Sequence, residues 1–474
     1  HQDAAADALP IVSIIQQFLS DRAQGDSALN DEPASRIVSL LEWLTDHSIS
    51  PPGGREAGQE MIESQNREVE KLDRHVTTGK ASPAEEERFQ QIAKERDGYQ
   101  VGTRQSVKQM NRRNSASGEE LLDFIKPLSN GGDDVQLLAR APGNSLFRAG
   151  MDDGEFSIVQ EAPEVFDPSA FLGWSKDYPH AYSPEELPDV EAKDEFYRSL
   201  ERIGLSVTDG EGRSLTLIPE TDLQTFPPNI FRIPNNDTPS GKDFLGELRP
   251  VAMAPSLSWL KAVHQKPFSP SGHSIAWIPK SNPSESLMGP LGTLRRGVRE
   301  TTEDTDIRLE EGMTPPEDLQ GADLVIIGGH GGLHHKNRWF RVIEDEGSVW
   351  LTPKNLAESV TDANIVVLFI CNAGRVDANP FLHSGTGLAR KVLDQGVRAV
   401  VASPWPLSSR VPSDWLPVFV ESLHAGNTVS EANFEANQSL SKDRKYMHNP
   451  SHTLAMNVIG DPVARLCPEE GLRD

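Results

Sequence analysis

GADLVIIGGHGGLHHKNRWF (residues 321–340) and ANIVVLFICNAG (residues 363–374) decide how this chain is read. Each is an apolar run of strand length that stops abruptly at small residues and one reactive side chain, His330 in the first and Cys371 in the second. Fully buried parallel strands read as continuous Val/Ile/Leu runs, and open α/β sheets carry their chemistry just past the carboxyl ends of such strands. The spacing of the two side chains, 371 − 330 = 41 residues, is enough for one strand–crossover–strand unit. The pattern predicts an imidazole and a thiol at neighbouring strand ends.

The same alternation extends in both directions. From about residue 195, DEFYRSLERIGL reads as a helix, RSLTLIPE and LRPVAMAPS as strands, SLSWLKAVH as a helix and HSIAWIPK as a strand. MGPLGTLRRGVRE is a predicted helix, followed by an expected acidic loop over residues 301–318, a place for processing or cation binding. Beyond Cys371 come the helix GTGLARKVLDQG, the strand VRAVVASPWP, two helices and a last strand at LAMNVIGDP. Strands alternating with helices of this length imply a mostly parallel sheet flanked by helices, an α/β fold. Upstream, VQLLARA, SLFRAGM and the stretch DDGEFSIVQ read as strands and a hairpin, and the Pro-, Asp- and Glu-rich residues 163–194 read mostly as loop.

Residues 1–130 read as an all-helical region. ALPIVSIIQQFL and ASRIVSLLEWL carry apolar residues at helical spacing, and Asp31 or Asn30 before Glu32 and Pro33 is a start signal for the second. After the break Pro51-Pro52-Gly53-Gly54, two polar stretches over residues 60–76 and 83–97 suggest a solvent-exposed helical hairpin. Residues 108–120, KQMNRRNSASGEE, show no periodicity and read as a linker. The switch of pattern near residue 130 marks a boundary, so the expected units are residues 1–130, 131–240 and 241–474.

With 46 Lys+Arg against 71 Asp+Glu among 474 residues, the net charge is −25, which argues against nucleic acid or an anionic membrane as the main partner. No apolar run approaches the roughly 18 residues of a membrane span, and no secretory pattern opens the chain. The two cysteines, Cys371 and Cys467, give no disulfide framework and suit a reducing, cytoplasmic setting.

A thiol attacks an acyl carbon as thiolate and needs a partner that takes its proton, commonly an imidazole. Gly328, Gly329, Gly331 and Gly332 leave His330 uncrowded, and the N–H groups of Gly331 and Cys371 are candidate oxyanion donors. The plainer alternatives are an inert buried cysteine and a satisfied loop histidine. His334 and His335 raise a metal reading with Cys371 as third ligand, but adjacent histidines diverge and no metal-ligand spacing is present. No metal or cofactor is expected.

Six blocks in order resemble the CHAT peptidases, bacterial relatives of caspases and separases: LTLIPETDLQTFP, VAMAPSLSWL, LVIIGGHGG, VVLFICNAG, GTGLARKVLDQGVRAVVASPWPL and VIGDP. The resemblance covers roughly residues 130–467. It implies a caspase-like fold, with residues 131–240 a pseudo-caspase part and 241–474 the catalytic part. It implies a cysteine endopeptidase that cleaves a protein partner, or itself, in a defence or signalling cascade, with Cys371 as nucleophile and His330 as base and later acid. A catalytically silent scaffold for protein–protein interaction is the alternative. The chain departs from the family at Phe369 and Ile370, where small residues are common, and at Ser408, where an acid is common; these positions touch the expected specificity region. Trp405 is a candidate pocket wall or an interior aromatic; Asp323, Asp377 and Asp461 are the carboxylates near the motifs that an acidic substrate pocket could use, with Asp323 also reading as the cap or start of its strand. Arg112-Arg113 is a candidate self-cleavage point, and the N-terminal helices either bind a regulatory protein or cover the sheet.

Overall fold

A computed structural model describes residues 31–46, scattered positions between 68 and 91, and residues 117–466 with short breaks, the longest at 182–197, 233–243 and 280–289. The first predicted helix, residues 8–19, and the Arg112-Arg113 stretch lie outside the described residues. Of the polar hairpin, ion pairs join its two arms, Arg88 to Glu68 at 2.7 Å and His75 to Glu85 at 2.8 Å, and Leu72 and Phe89 are buried.

Helix α1 (Asp31–Asp46) starts at its Asp-Glu-Pro signal, and α2 (Gly118–Asn130) is capped by Ser117, whose side chain accepts from Glu120 N. Three antiparallel strands follow, β1 (Asp133–Ala141), β2 (Ser145–Asp152) and β3 (Glu155–Gln160). Helix α3 (Pro168–Ala181) then occupies a stretch expected to be mostly loop. Asp167 caps it, with Oδ1 accepting from Ser169 N at 2.8 Å and Ala170 N at 3.0 Å, and Phe171 and Trp174 bury its inner face. Asp-Pro-Ser was a helix start hidden by the Pro- and acid-rich composition around it.

The chain then builds β4 (Ser214–Pro219), β5 (Val251–Met253), α4 (Leu257–Gln265), β6 (Ser274–Pro279) and α5 (Pro290–Glu303). The expected loop over 301–318 is instead the end of α5 and an edge strand, β7 (Arg308–Gly312). Its sequence RLEEG hid this, because an edge strand tolerates, and even favours, charge; Arg308 reaches Asp318 at 2.5 Å. Next come β8 (Leu324–Gly328), β9 (His330–His334), β10 (Trp339–Asp345), β11 (Val349–Trp350) and α6 (Pro353–Ser359). The last part is β12 (Ile365–Phe369), the small hairpin β13 (Asp377–Ala378) and β14 (Gly385–Thr386), α7 (Leu388–Leu393), β15 (Ala399–Ala402), α8 (Val411–His424), α9 (Val429–Lys442) and β16 (Asn457–Gly460).

Among the described residues eleven strands form one sheet in the order β3-β2-β1-β4-β5-β16-β15-β12-β8-β6-β7. It is mostly parallel, as the sequence predicts, and helices flank it. Strands β1, β4, β5 and β16 run one way and β15, β12, β8, β6 and β7 the other, with the reversal at the antiparallel β15–β16 seam. Every residue of β8, β12 and β15 is buried, because successive side chains enter cores on opposite faces. Ile326, Val367 and Val401 join Leu294 of α5 and Trp415 and Phe419 of α8, whereas Val325, Val366 and Val400 join α6 and α7.

Asp461, just after β16, holds the seam. It is fully buried and accepts from Arg398 Nη2 at 2.9 Å and from Val463 N at 3.2 Å, with His264 Nε2 of α4 at 2.9 Å. Burial alone would raise its carboxyl, but the hydrogen bond and charge of His264 and the charge of Arg398 outweigh it and hold the carboxyl below its ordinary value. Such a group adds stability that is complete above the unfolded carboxyl's pKa of about 4 and is lost as pH falls through the lower folded value. Asp461→Asn is expected to cost about 3 kcal/mol in urea unfolding at pH 7, since it leaves the half-buried Arg398 against a neutral amide. The cost should shrink as pH drops below about 4.

Candidate active site

The β8–β12 pairing sets the site. Their parallel register matches Leu324 with Ile365 and Gly328 with Phe369, an offset of 41 residues (365 − 324) that is also the offset between His330 and Cys371. Gly329 N extends the ladder by donating to Phe369 O at 3.2 Å. Both residues therefore sit two positions beyond the last matched pair, at the carboxyl ends of adjacent strands. This is also beside the point where the strand order reverses, since the chain leaves β6 outward to β7 and returns to β8 on the other side. Crevices of open α/β sheets form at such points.

Past the ladder the two strands diverge. The β8 chain continues into β9, so His330 begins a ribbon paired with β10, and the His330 side chain is exposed. The β12 chain turns: Ala373 N donates to Ile370 O at 3.2 Å, and Asn372 takes a left-handed φ of 62°. Asn accepts that conformation more readily than other non-glycine residues. Cys371 stands half-buried at this turn. The ribbon passes directly over it: Gly332 has φ +133°, and a Cβ there would lie 3.1 Å from Cys371 Cβ and 3.0 Å from Asn372 Oδ1. Only glycine lets the histidine strand lie this close to the thiol turn.

The turn is fastened from below by the segment after β15. Asn372 N donates to Trp405 O at 3.1 Å, Asn372 Nδ2 to Pro404 O at 3.3 Å, and Gly374 N to Ser403 O at 2.9 Å. Leu407 N donates to Cys371 Sγ at 3.4 Å. A donor aimed at sulfur favours the thiolate over the thiol. Downstream of the turn, Arg375 is buried and its Nη2 donates to Ser175 O of α3 at 2.7 Å. Leu407, Ser403 and Arg375 escaped sequence reading because two act through backbone atoms, which have no residue signature, and Arg375 reads as an ordinary surface cation.

The other expected site residues are dispersed. Gly331 is half-buried between His330 and Gly332, beside the turn. Trp405 is fully buried, its Nε1 donating to Ser451 O at 2.7 Å, and it packs with Phe171, Trp174 and Phe226. It supports the turn from the interior and has no surface with which to wall a pocket. Asp323 lies at the opposite, amino end of β8, where its carboxylate accepts from Ser271 N and Gly272 N at 2.8 Å each. Asp461 belongs to the seam. Asp377 stands in β13, on the chain leaving the turn, with its Cα paired to Thr386. Phe369 and Ile370 face the two cores, Phe369 against Trp415 at 5.9 Å, so neither opens toward a substrate. Among the described residues no group of three or more His, Cys, Asp or Glu is arranged for a metal, and no helix is long and apolar enough to cross a membrane.

The close approach of Gly332 gives a direct test. Gly332→Ala is expected to slow alkylation of Cys371, read in a Cys467→Ser background, about a hundredfold, as misplacement by an ångström does at reacting centres. Gly321→Ala is the control: its φ is also left-handed, at +67°, but nothing lies within 4 Å of its Cβ. It should leave alkylation unchanged while still carrying the cost, about 1–2 kcal/mol, of a left-handed alanine.

Two crystal structures of the Saccharomyces cerevisiae separase–securin complex, at 2.6 Å and 3.0 Å resolution, match with TM-scores of 0.45 and 0.44 at 12% identity, over 73% of this chain and 31% of the other. The chain thus spans about a third of the separase it matches. No curated protein sequence matches it. The family model described as "CHAT domain" matches residues 194–455, more than half of the 474 residues and the whole of the region from β4 to the end of α9. The chain belongs to the CHAT domain family.

Proposed function

We propose that this chain is a cysteine endopeptidase, with Cys371 as nucleophile and His330 as general base. The observation that carries the reading is the common register of the two residues at neighbouring buried strand ends, with the glycine strand beyond His330 lying against the thiol turn. CHAT membership and the block pattern of the sequence support a caspase-like protease.

In this reading His330 takes the Cys371 thiol proton, and the thiolate attacks the carbonyl carbon of the scissile peptide bond. The resulting oxyanion is held by the N–H groups of Gly331 and Cys371, each worth about 3–4 kcal/mol of transition-state stabilisation in comparable sites. His330 then passes its proton to the leaving amine, and the C–N bond breaks to leave a thioester. Water adds to that thioester with His330 as base, releasing the carboxyl product and restoring the thiol. The N–H of Leu407 stabilises the sulfur while it is anionic. No cofactor is needed. Asp377, on the strand leaving the turn, is the remaining candidate for contact with the substrate's side chain. The substrate would be a protein partner in a signalling or defence cascade, or the chain itself at Arg112-Arg113.

Peptide acyloxymethyl ketones with Arg, Lys or Asp at the position before the scissile bond should label the wild-type chain, and labelling should vanish in Cys371→Ala. His330→Ala should lower the labelling rate about a hundred- to ten-thousand-fold, the usual worth of a positioned base. Undiminished labelling in Cys371→Ala, or none by any of the three in wild type with its protein partner present, would sink the reading. Self-cleavage would show as two fragments on incubation of wild type and an intact chain in Cys371→Ala. Intact chains in both would remove Arg112-Arg113 as a substrate.

A further inference from the structure

The sheet has two sets of carboxyl ends because its halves run in opposite directions. One set carries His330 and Cys371. The other, at the ends of β4 and β5, is where α4 begins, and the start of α4 presents backbone N–H groups with no partner inside the helix. Ser256 satisfies one of them, its Oγ accepting from Trp259 N at 3.1 Å. The next two are taken by a residue more than two hundred positions away: Glu42 of α1 accepts from Leu257 N at 2.8 Å through Oε2 and from Ser258 N at 2.7 Å through Oε1. Glu42 is only 2% exposed, so this is a carboxylate taken out of water and seated in a helix N-terminus.

The rest of α1 fits around that contact. Ala34, Ile37, Val38 and Leu41, at i, i+3, i+4 and i+7, are all buried in the core formed by α2 and the β1–β2 face. Gly118 at the start of α2 lets the helices touch: a Cβ there would fall 1.8 Å from Ser35 O. An apolar stripe, a glycine notch and a two-point carboxylate seat together make a complete binding site for one acidic amphipathic helix.

We propose that the β1–β2 face beside α2 and the start of α4 is a binding site for an acidic amphipathic helix, filled here in cis by residues 31–46. The helix is retained without covalent continuity. A scission after α1 therefore yields a two-piece protein rather than release of the N-terminal piece. This holds whatever chemistry Cys371 performs.

The test uses the full chain carrying Cys371→Ala, which excludes self-cleavage, with a site-specific protease sequence inserted between Gly53 and Gly54. After cutting, the two pieces are expected to co-elute in gel filtration, and an added fluorescent peptide of residues 31–46 should exchange in slowly. Glu42→Gln keeps the shape but loses the charge, and should speed release of the cut piece about tenfold or more, as charge-assisted hydrogen bonds warrant. Gly118→Val closes the notch without touching Glu42 and should do the same. Circular dichroism of the uncut variants confirms that they fold. Separation of the pieces of the cut parent protein would overturn the proposal. Retention in both variants as tight as in the parent would overturn the assignment of the seat.

Discussion

The arrangement depends on the register between β8 and β12. Both strands are buried on both faces, and a slip by one residue would turn every side chain of one strand into the opposite core. A slip by two would keep the faces but leave unpaired backbone groups at the strand ends in a dry interior. The offset of 41 residues that pairs Gly328 with Phe369 is therefore set by the packing of residues such as Ile326 and Val367, none of which touches the site. His330 and Cys371 inherit it. Their placement at neighbouring strand ends is a property of the core.

Backbone atoms do most of the work of holding Cys371. The turn hangs from Ser403, Pro404, Trp405 and Leu407 by main-chain donors and acceptors, and the one prominent side chain there, Trp405, points away into the cluster with Phe171, Trp174 and Phe226. That cluster belongs to the first half of the chain, as does Ser175, whose carbonyl accepts from Arg375. Phe171, Trp174, Ser175 and Phe226 thus brace the thiol turn from the side although they supply none of the candidate dyad. A lost methylene in that cluster would be felt at the turn, since packed interiors transmit displacement.

How much of this was legible in the sequence follows from which kind of atom carries each feature. The buried parallel strands were plain, because LVIIG, IVVLF and AVVA have few other ways to be satisfied, and the reactive residues at their ends were plain with them. Helix α3 was missed because Pro, Asp and Ser read as loop residues when they are in fact the first turn of a helix. Strand β7 was missed because the charges on RLEEG read as solvent-exposed loop when they mark an edge. Trp405 and Asp323 each had two readings in the sequence, one at the substrate by their place in the motifs and one structural, as an interior aromatic and as the start of a strand. In three dimensions one lies beneath the turn and the other at the far end of its strand. Proximity in a motif is proximity along the chain, and a strand carries its two ends about 3.3 Å further apart with each residue.

The antiparallel seam explains why one sheet can serve two ends. Had β16 run with β15, all the carboxyl ends would have opened on one edge, and α4 would have begun beside the thiol. Instead β16 returns against β15, and Asp461 at its end ties α4, through His264, to the start of β15, through Arg398. Helix α4 is thereby held at both ends by carboxylates from elsewhere in the chain, Glu42 at its start and Asp461 near its finish. The first complements the positive end of the helix dipole, and the second pairs with a histidine in the last turn, where positive charge is favoured. The candidate dyad stands at the opposite end of the sheet, where Gly328, Gly329, Gly331 and Gly332 flank His330.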